Sequence, residues 1–144
     1  MTAYADGILA ELLRDAGLVT PAGSDSRVYT RQVPDLADRL PCLVVRALAG
    51  GSALQATGDG SRQVPWQLDS YGADTGDAGR AAHGRARLAV RVLMDAARDR
   101  TLTGDGYLLA VTSISGPYDA ADAGTPGGVV RWQVTGLAAF RQPF

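Results

Sequence analysis

The pattern of apolar and polar positions divides the 144-residue chain into two helical and five extended segments. Ile8, Leu9, Leu12 and Leu13 recur at helical spacing, whereas the extended segments show either strict alternation or a short continuous apolar run. The predicted elements are a helix over 4–16, strands over 27–34, 42–48 and 64–71, a helix over 78–98, and strands over 107–115 and 130–140. The predicted order is therefore α-β-β-β-α-β-β.

Turn-forming residues between these segments predict how the elements connect. Glycine and polar residues dominate 49–63 and 118–128, which are predicted to be flexible loops, with a hairpin arm as the alternative for 49–63. Residues 35–40 are predicted to form one helical turn. Gly136 is expected to mark a β-bulge in the last strand. Strands joined by short turns pair antiparallel. We therefore expect one α+β domain over 1–144, with both helices on one face of a mostly antiparallel sheet of about five strands.

The longer predicted helix separates small apolar residues from arginines. Asp77 is expected to cap the helix N-terminus. One face of the helix carries small and apolar residues, namely Ala82, Ala89, Val92, Leu93 and Ala96. The opposite face carries an arginine stripe, which consists of Arg80, Arg87, Arg91 and Arg98. The stripe is either a solvated surface or a contact surface for a neighbouring subunit or a nucleic acid. Arg85 projects near the apolar face and would need an acceptor if buried.

Composition places the chain among ordinary globular proteins. It is 46% hydrophobic and 20% charged, with a net charge of -1, and all 14 basic residues are arginine. This balance argues against bulk nucleic-acid binding. The chain has no run of roughly 18 apolar residues, so no membrane partner is expected and the protein should be soluble and cytosolic as made.

Cysteine and histidine each occur once, which restricts the possible chemistry. With only Cys42 and His83, neither a disulfide within the chain nor a Cys/His metal cluster can form, and lysine is absent altogether. Cys42 lies in an apolar strand and is expected to be a buried, unreactive thiol. We therefore expect no cofactor, no metal and no enzymatic activity. The alternative is a small enzyme or ligand-binding domain with a cleft beside Tyr71, His83 and Asp69.

Several short motifs, in their order and spacing, resemble the tail terminator (tail completion) proteins of long-tailed bacteriophages. Each motif is degenerate alone, and together they span about residues 4–143. The motifs are Val28-Tyr-Thr-Arg-Gln-Val-Pro34, Leu40-Pro41, Arg46-Ala-Leu-Ala-Gly-Gly51, Trp66-Gln-Leu-Asp-Ser-Tyr-Gly72, the helix 82–97, Ser115-Gly-Pro-Tyr118, Pro126, Val130-Arg-Trp132 and Phe140-Arg-Gln-Pro143.

The resemblance implies a structural protein of the virion neck that assembles in the host cytoplasm. Such a protein forms a ring, usually a hexamer, that caps the tail tube, stops its polymerisation and provides the joint to the head. Its implied partners are copies of itself, the tail tube protein and head-tail connector proteins. The resemblance implies contact with DNA, if any, only through the lumen of the ring. A different head-tail connector or a minor tail protein is the neighbouring alternative.

Overall fold

The computed structural model describes residues 3–19, 27–31, 33–48, 53–54, 61–104, 106–122 and 125–141. In chain order the elements are β1 (Ala3–Tyr4), α1 (Ala5–Asp15), β2 (Val28–Tyr29), a 3-10 helix (Leu36–Asp38), β3 (Cys42–Ala47), β4 (Ala53–Leu54), β5 (Ser61–Ala73), α2 (Gly76–Asp99), β6 (Tyr107–Asp119) and β7 (Val129–Arg141).

The main sheet has five strands in the order β2-β3-β5-β7-β6. The pairs β3–β5, β5–β7 and β6–β7 are antiparallel, and β5 pairs with β7 in continuous register from Ser61↔Arg141 to Ala73↔Val129. Helix α2 packs on β5, β6 and β7, while α1 packs on β2, β3 and α2. The α+β fold predicted from the sequence is confirmed.

The two helices form because their apolar residues fall on one side. Ile8, Leu9 and Leu13 of α1 are fully buried, and the chain turns out of the helix at Gly17, whose φ of 69° favours glycine. In α2 the buried side is mostly alanine, which allows the helix to lie close to the sheet.

The N-cap residue of α2 is Thr75. The prediction of Asp77 as the cap is therefore wrong. Asp77 lies in the first turn of α2, where its negative charge interacts favourably with the helix dipole.

The core lies between the helices and the sheet, where β5 and β7 supply the largest buried side chains, Trp66 and Phe140. Gly136 faces Trp66 so closely that a Cβ atom there would lie 2.8 Å from Trp66 Cζ2 and 3.1 Å from Ile114 Cδ1. The bulge near Gly136 lies in β6 and not in β7. Thr112 pairs with Leu137 and Ser115 pairs with Thr135, so β6 has one more residue between these two pairs than β7 has. Glycine thus permits close packing opposite the extra β6 residue.

Four further sequence predictions differ from the structure. First, β2 pairs parallel with β3; β2 ends at Tyr29 and β3 begins at Cys42, a separation in sequence long enough for the chain to return to the same end of the sheet. Second, β6 continues through Gly116 and Pro117 to Asp119. Third, a second sheet pairs β1 with β4. Fourth, 53–54 and 61–63 of the predicted loop 49–63 are strand, as are 118–119 of the predicted loop 118–128. Residues 49–52, 55–60 and 123–124 lie outside the described residues.

Candidate functional site

The face of the sheet opposite the helices carries a cluster of polar side chains. Alternation along β5 places Ser70 on the helix side, where its hydroxyl donates to the carbonyl oxygen of Ala82 over 2.8 Å. The neighbours Asp69 and Tyr71 therefore project to the other face, as does Gln67. This division confirms the two faces predicted from the 64–71 pattern.

Asp69 is the centre of the cluster and is fully buried. Its Oδ1 accepts a hydrogen bond from Arg131 Nε at 3.0 Å. Its Oδ2 accepts from Gln67 Nε2 at 2.9 Å, from Arg131 NH2 at 3.3 Å and from Arg46 NH2 at 3.4 Å. Four donors on three side chains thus satisfy a carboxylate that could not remain buried and charged alone.

The two arginines of the cluster are held differently. Arg131, whose side chain is 15% exposed, binds Asp69 through Nε and NH2, and its NH1 donates to the carbonyl of Ala120 and to Asp122. Arg46, whose side chain is 40% exposed, makes only the 3.4 Å hydrogen bond to Asp69 among the described residues, and within the same residues its buried Nε has no hydrogen-bond partner. Arg131 is therefore fixed at every nitrogen, whereas Arg46 keeps unused donors.

A cleft of about 360 Å³ opens over this cluster, and we call it the Asp69 cleft. Its floor comes from β3, β5 and β7, and its walls come from the β2–β3 and β6–β7 connections. The lining residues are Val33, Asp35, Leu36, Val44, Arg46, Tyr71, Asp122, Thr125, Pro126 and Arg131. This volume is at the lower end of the range for small-molecule sites.

The electrostatics of the Asp69 cleft favour recognition by fixed donors. Burial, and secondarily the charge of Asp69, raises the pKa of the Tyr71 hydroxyl above its usual value. Burial lowers the pKa of Arg131, but the hydrogen bond and charge of Asp69 outweigh it and raise the pKa overall. Both groups therefore stay protonated near neutral pH. The donors of Arg131 are engaged by Asp69, Asp122 and Ala120, whereas the Tyr71 hydroxyl is a donor in the lining of the cleft. The arrangement suits binding of an acceptor-rich group.

The arginine stripe lies on the exposed side of α2, as predicted. Arg80 pairs with Asp77 at 2.5 Å, and Arg98 pairs with Asp95 at 3.5 Å. These are exposed contacts within one helix and contribute little to stability.

The middle of the stripe differs from its ends. Arg87 and Arg91 are exposed and have no ion-pair partner among the described residues. Leu88 and Met94 lie beside them and are 52% and 49% exposed. We call these four residues the α2 patch. It combines unpaired guanidinium groups with exposed apolar side chains, a composition typical of contact surfaces.

His83 does not share a cleft with Asp69 and Tyr71. It meets the edge of Trp132 on the helix side of the sheet, with ring centroids 4.7 Å apart. The three residues of the sequence-predicted cleft are thus divided between two faces. The reason is that His83 belongs to α2, whereas Asp69 and Tyr71 point away from that helix.

Arg85 and Cys42 lie within electrostatic reach of each other near the start of β3. Burial lowers the pKa of Arg85, and its NH1 is buried without a hydrogen-bond partner in the structure. Burial raises the pKa of the Cys42 thiol from 9.0 to about 11, despite the nearby arginines. The predicted burial of Cys42 is confirmed, and its thiol is therefore protonated at neutral pH.

Sequence reasoning found Asp69 and Tyr71 but missed Arg46, Gln67 and Arg131 as their partners. The available signal was the alternation of side chains along two strands, in which Gln67 and Arg131 occupy outward positions; Arg46 follows a continuous apolar run and has no such signal. Combining them required knowing that β5 lies between β3 and β7, which the pattern does not reveal.

Among the described residues, no group of three or more His, Cys, Asp or Glu side chains is arranged to hold a metal ion. In the same part of the chain, no helix has the length and apolar character needed to cross a membrane. Neither the known family models nor the curated proteins include a match to this sequence.

Proposed function

We propose that this chain is a structural protein of a long-tailed bacteriophage that forms a ring on the finished tail tube. The ring, a hexamer by the resemblance of its sequence motifs, ends polymerisation of the tube and provides the joint to the head. Its partners are copies of itself, the tail tube protein and head-tail connector proteins, and its place is the tail-neck region of the virion. On this proposal the chain is not an enzyme.

The observation that carries the proposal is the α2 patch. Arg87 and Arg91 lack ion-pair partners among the described residues, and Leu88 and Met94 expose about half of their surface beside them. Exposed leucine and methionine side chains gain from burial against a partner. Arginine is also enriched at protein interfaces. The patch therefore has the chemistry of a subunit contact.

A ring requires two different patches on each subunit that meet head to tail. The α2 patch lies on the helix side, while the loops around the Asp69 cleft lie on the opposite face of the sheet. Those loops expose the carboxylates of Asp35 and Asp122. A positive surface and a surface bearing exposed carboxylates on opposite sides of one subunit are complementary in a head-to-tail arrangement.

A paired substitution tests this proposal. Arg87→Gln/Arg91→Gln removes two unpaired charges, whereas Arg80→Gln/Arg98→Gln removes the same charge from arginines already paired within α2. Native mass spectrometry should show rings for the wild type and the Arg80/Arg98 variant, and monomers for the Arg87/Arg91 variant. Identical assembly of both variants would exclude the α2 patch as the subunit contact.

Electron microscopy of the protein mixed with tail tubes tests the position of the ring. It also detects a ring that forms on the tube but not in the free protein. A ring at the tube end, together with tubes that stop growing, is expected of a terminator. Binding along the tube wall would favour a minor tail protein, and binding only to head connectors would favour a connector. A monomer that binds none of these would overturn the proposal.

The second candidate function is a small ligand-binding domain. The Asp69 cleft favours it, because buried charge, unused donors and a defined volume converge there. The two functions are compatible, since the cleft and the α2 patch lie on opposite sides of the sheet.

A further inference from the structure

The Asp69 cleft contains more donors than its own carboxylate can satisfy. Asp69 Oδ2 already accepts from Gln67 at 2.9 Å and from Arg131 at 3.3 Å, so Arg46 is the third and most distant donor at 3.4 Å. A carboxylate oxygen has about two good acceptor positions. Arg46 is therefore only marginally bonded to Asp69.

The other acidic residues of the cleft do not complete the bonding of Arg46. Asp122 is held by Arg131 at 3.2 Å, and no ion pair joins Asp35 to Arg46 in the structure. Asp35 is exposed, so solvent and salt screen its charge. Arg46 meanwhile keeps a buried Nε with no hydrogen-bond partner, which costs free energy until an acceptor is supplied.

We propose that the Asp69 cleft binds a carboxylate group through Arg46, with the Tyr71 hydroxyl as a second donor. A guanidinium group binds a planar carboxylate through two parallel hydrogen bonds, for which Arg46 has donors to spare once its side chain adjusts. Gln67 and Arg131 are positioning residues, because they hold Asp69 and so fix the floor beneath Arg46.

The apolar wall of the cleft specifies the rest of the ligand. Val33, Leu36, Val44 and Pro126 line it together with the polar groups. A carboxylate joined to a small apolar body fits this lining, whereas a highly charged phosphate would place additional negative charge beside Asp35 and Asp122. Such a carboxylate belongs either to a free small organic acid or to an acidic side chain of a second copy of this chain.

Titration with benzoate tests the proposal, with benzamide as the neutral ligand of the same shape. Isothermal titration and amide chemical shifts should show benzoate binding in the millimolar range or tighter, and benzamide binding at least about tenfold more weakly. Arg46→Gln should weaken benzoate binding about tenfold or more, Arg46→Lys less, and Tyr71→Phe several-fold. Arg80→Gln, which removes the same charge from an exposed arginine already paired with Asp77 on the opposite side of the sheet, should leave the affinity unchanged.

Thermal unfolding of each variant checks that the fold is retained, and Arg46→Lys keeps the test valid if Arg46→Gln unfolds. The proposal is overturned if benzoate and benzamide bind equally, if Arg46→Lys and Arg46→Gln bind like the wild type, or if benzoate up to about 20 mM causes no shift.

The same titration, followed by native mass spectrometry, distinguishes the two sources of the carboxylate. A free organic acid is indicated if benzoate binds and the oligomeric state is unchanged. A carboxylate of a second copy is indicated if benzoate dissociates the assembly and Arg46→Gln prevents assembly. Loss of rings in Arg87→Gln/Arg91→Gln alone tests the proposed subunit contact, whereas loss of benzoate binding in Arg46→Gln tests the proposed carboxylate site. The failure of one proposal can therefore be distinguished from the failure of the other.

Discussion

Replacing Asp69 by asparagine measures how much the buried carboxylate stabilises the sheet. Asparagine keeps the shape but offers one acceptor oxygen and one NH2 donor. If its oxygen occupies the Oδ2 position, the NH2 group faces Arg131 Nε, and the 3.0 Å hydrogen bond is lost. In the other orientation, the three contacts of Oδ2 with Gln67, Arg131 and Arg46 are lost.

The magnitude follows from the smaller of these two losses. One charge-assisted hydrogen bond contributes about 1.5–3 kcal/mol. The neutral side chain also leaves the 15% exposed Arg131 with Asp122 as its remaining charged partner, which adds a penalty for a buried, incompletely paired charge. The 40% exposed Arg46 adds little, because solvent screens it. We expect Asp69→Asn to lower the free energy of unfolding by about 3 kcal/mol.

Urea denaturation followed by tryptophan fluorescence measures this difference, with equal m values as the check on two-state behaviour. It is done at two protein concentrations, because self-association adds a concentration-dependent contribution. Asp119→Asn, at an exposed position, is the matched control and should change stability by less than about 0.5 kcal/mol. A loss below about 1 kcal/mol for Asp69→Asn, or equal losses in both variants, would refute the stabilising role of Asp69.

Two further predictions concern packing and the buried thiol. Gly136→Ala should destabilise the protein by about 1–3 kcal/mol, because its Cβ would approach Trp66 Cζ2 to 2.8 Å. Gly84→Ala in α2, where a Cβ would have no other atom within 4 Å, should stabilise the protein by up to about 1 kcal/mol. Equal free energies of unfolding of the two variants in urea denaturation would contradict this packing. Cys42 should react with a thiol reagent at pH 8 only after unfolding, and fast reaction of the folded protein would show that it is accessible. Burial raises the pKa of the Cys42 thiol from 9.0 to about 11, so between these pH values the folded protein keeps a proton that the unfolded chain has lost. The free energy of unfolding should therefore fall between pH 9 and pH 11, and Cys42→Ala should reduce that fall.

Local periodicity was sufficient to predict the helices and the faces of the strands. The arginine side of α2, the buried side of α1 and the alternation from Val64 to Tyr71 all appear in the structure as expected, since each depends only on residues close in sequence. The parallel pairing of β2 with β3 was missed, because the direction of pairing is set by contacts such as Val28↔Leu43 between residues that are not close in sequence.

The polar cluster could not be predicted for the same physical reason. Asp69 comes from β5, Arg46 from β3 and Arg131 from β7, so 62 residues separate Asp69 from Arg131. Only the strand order and register, which place Arg131 beside Tyr71 and Arg46 beside Gln67, make these side chains neighbours. A single sequence carries no local signal of that order. An aspartate that alternates with apolar residues is predicted to face solvent, so the pattern gave no indication that Asp69 is buried.

The β6 strand at the edge of the main sheet has a consequence for solubility. An open edge offers unpaired backbone groups on which another chain can add a strand, which is a common route to fibrous aggregation. Three register shifts between Leu108 and Tyr118, and the left-handed backbone of Ser113 with φ of 55°, make this edge irregular, and the opposite edge strand, β2, has only two residues. Neither edge presents a long flat template, so copies of this chain can be concentrated together without continuing one another's sheets.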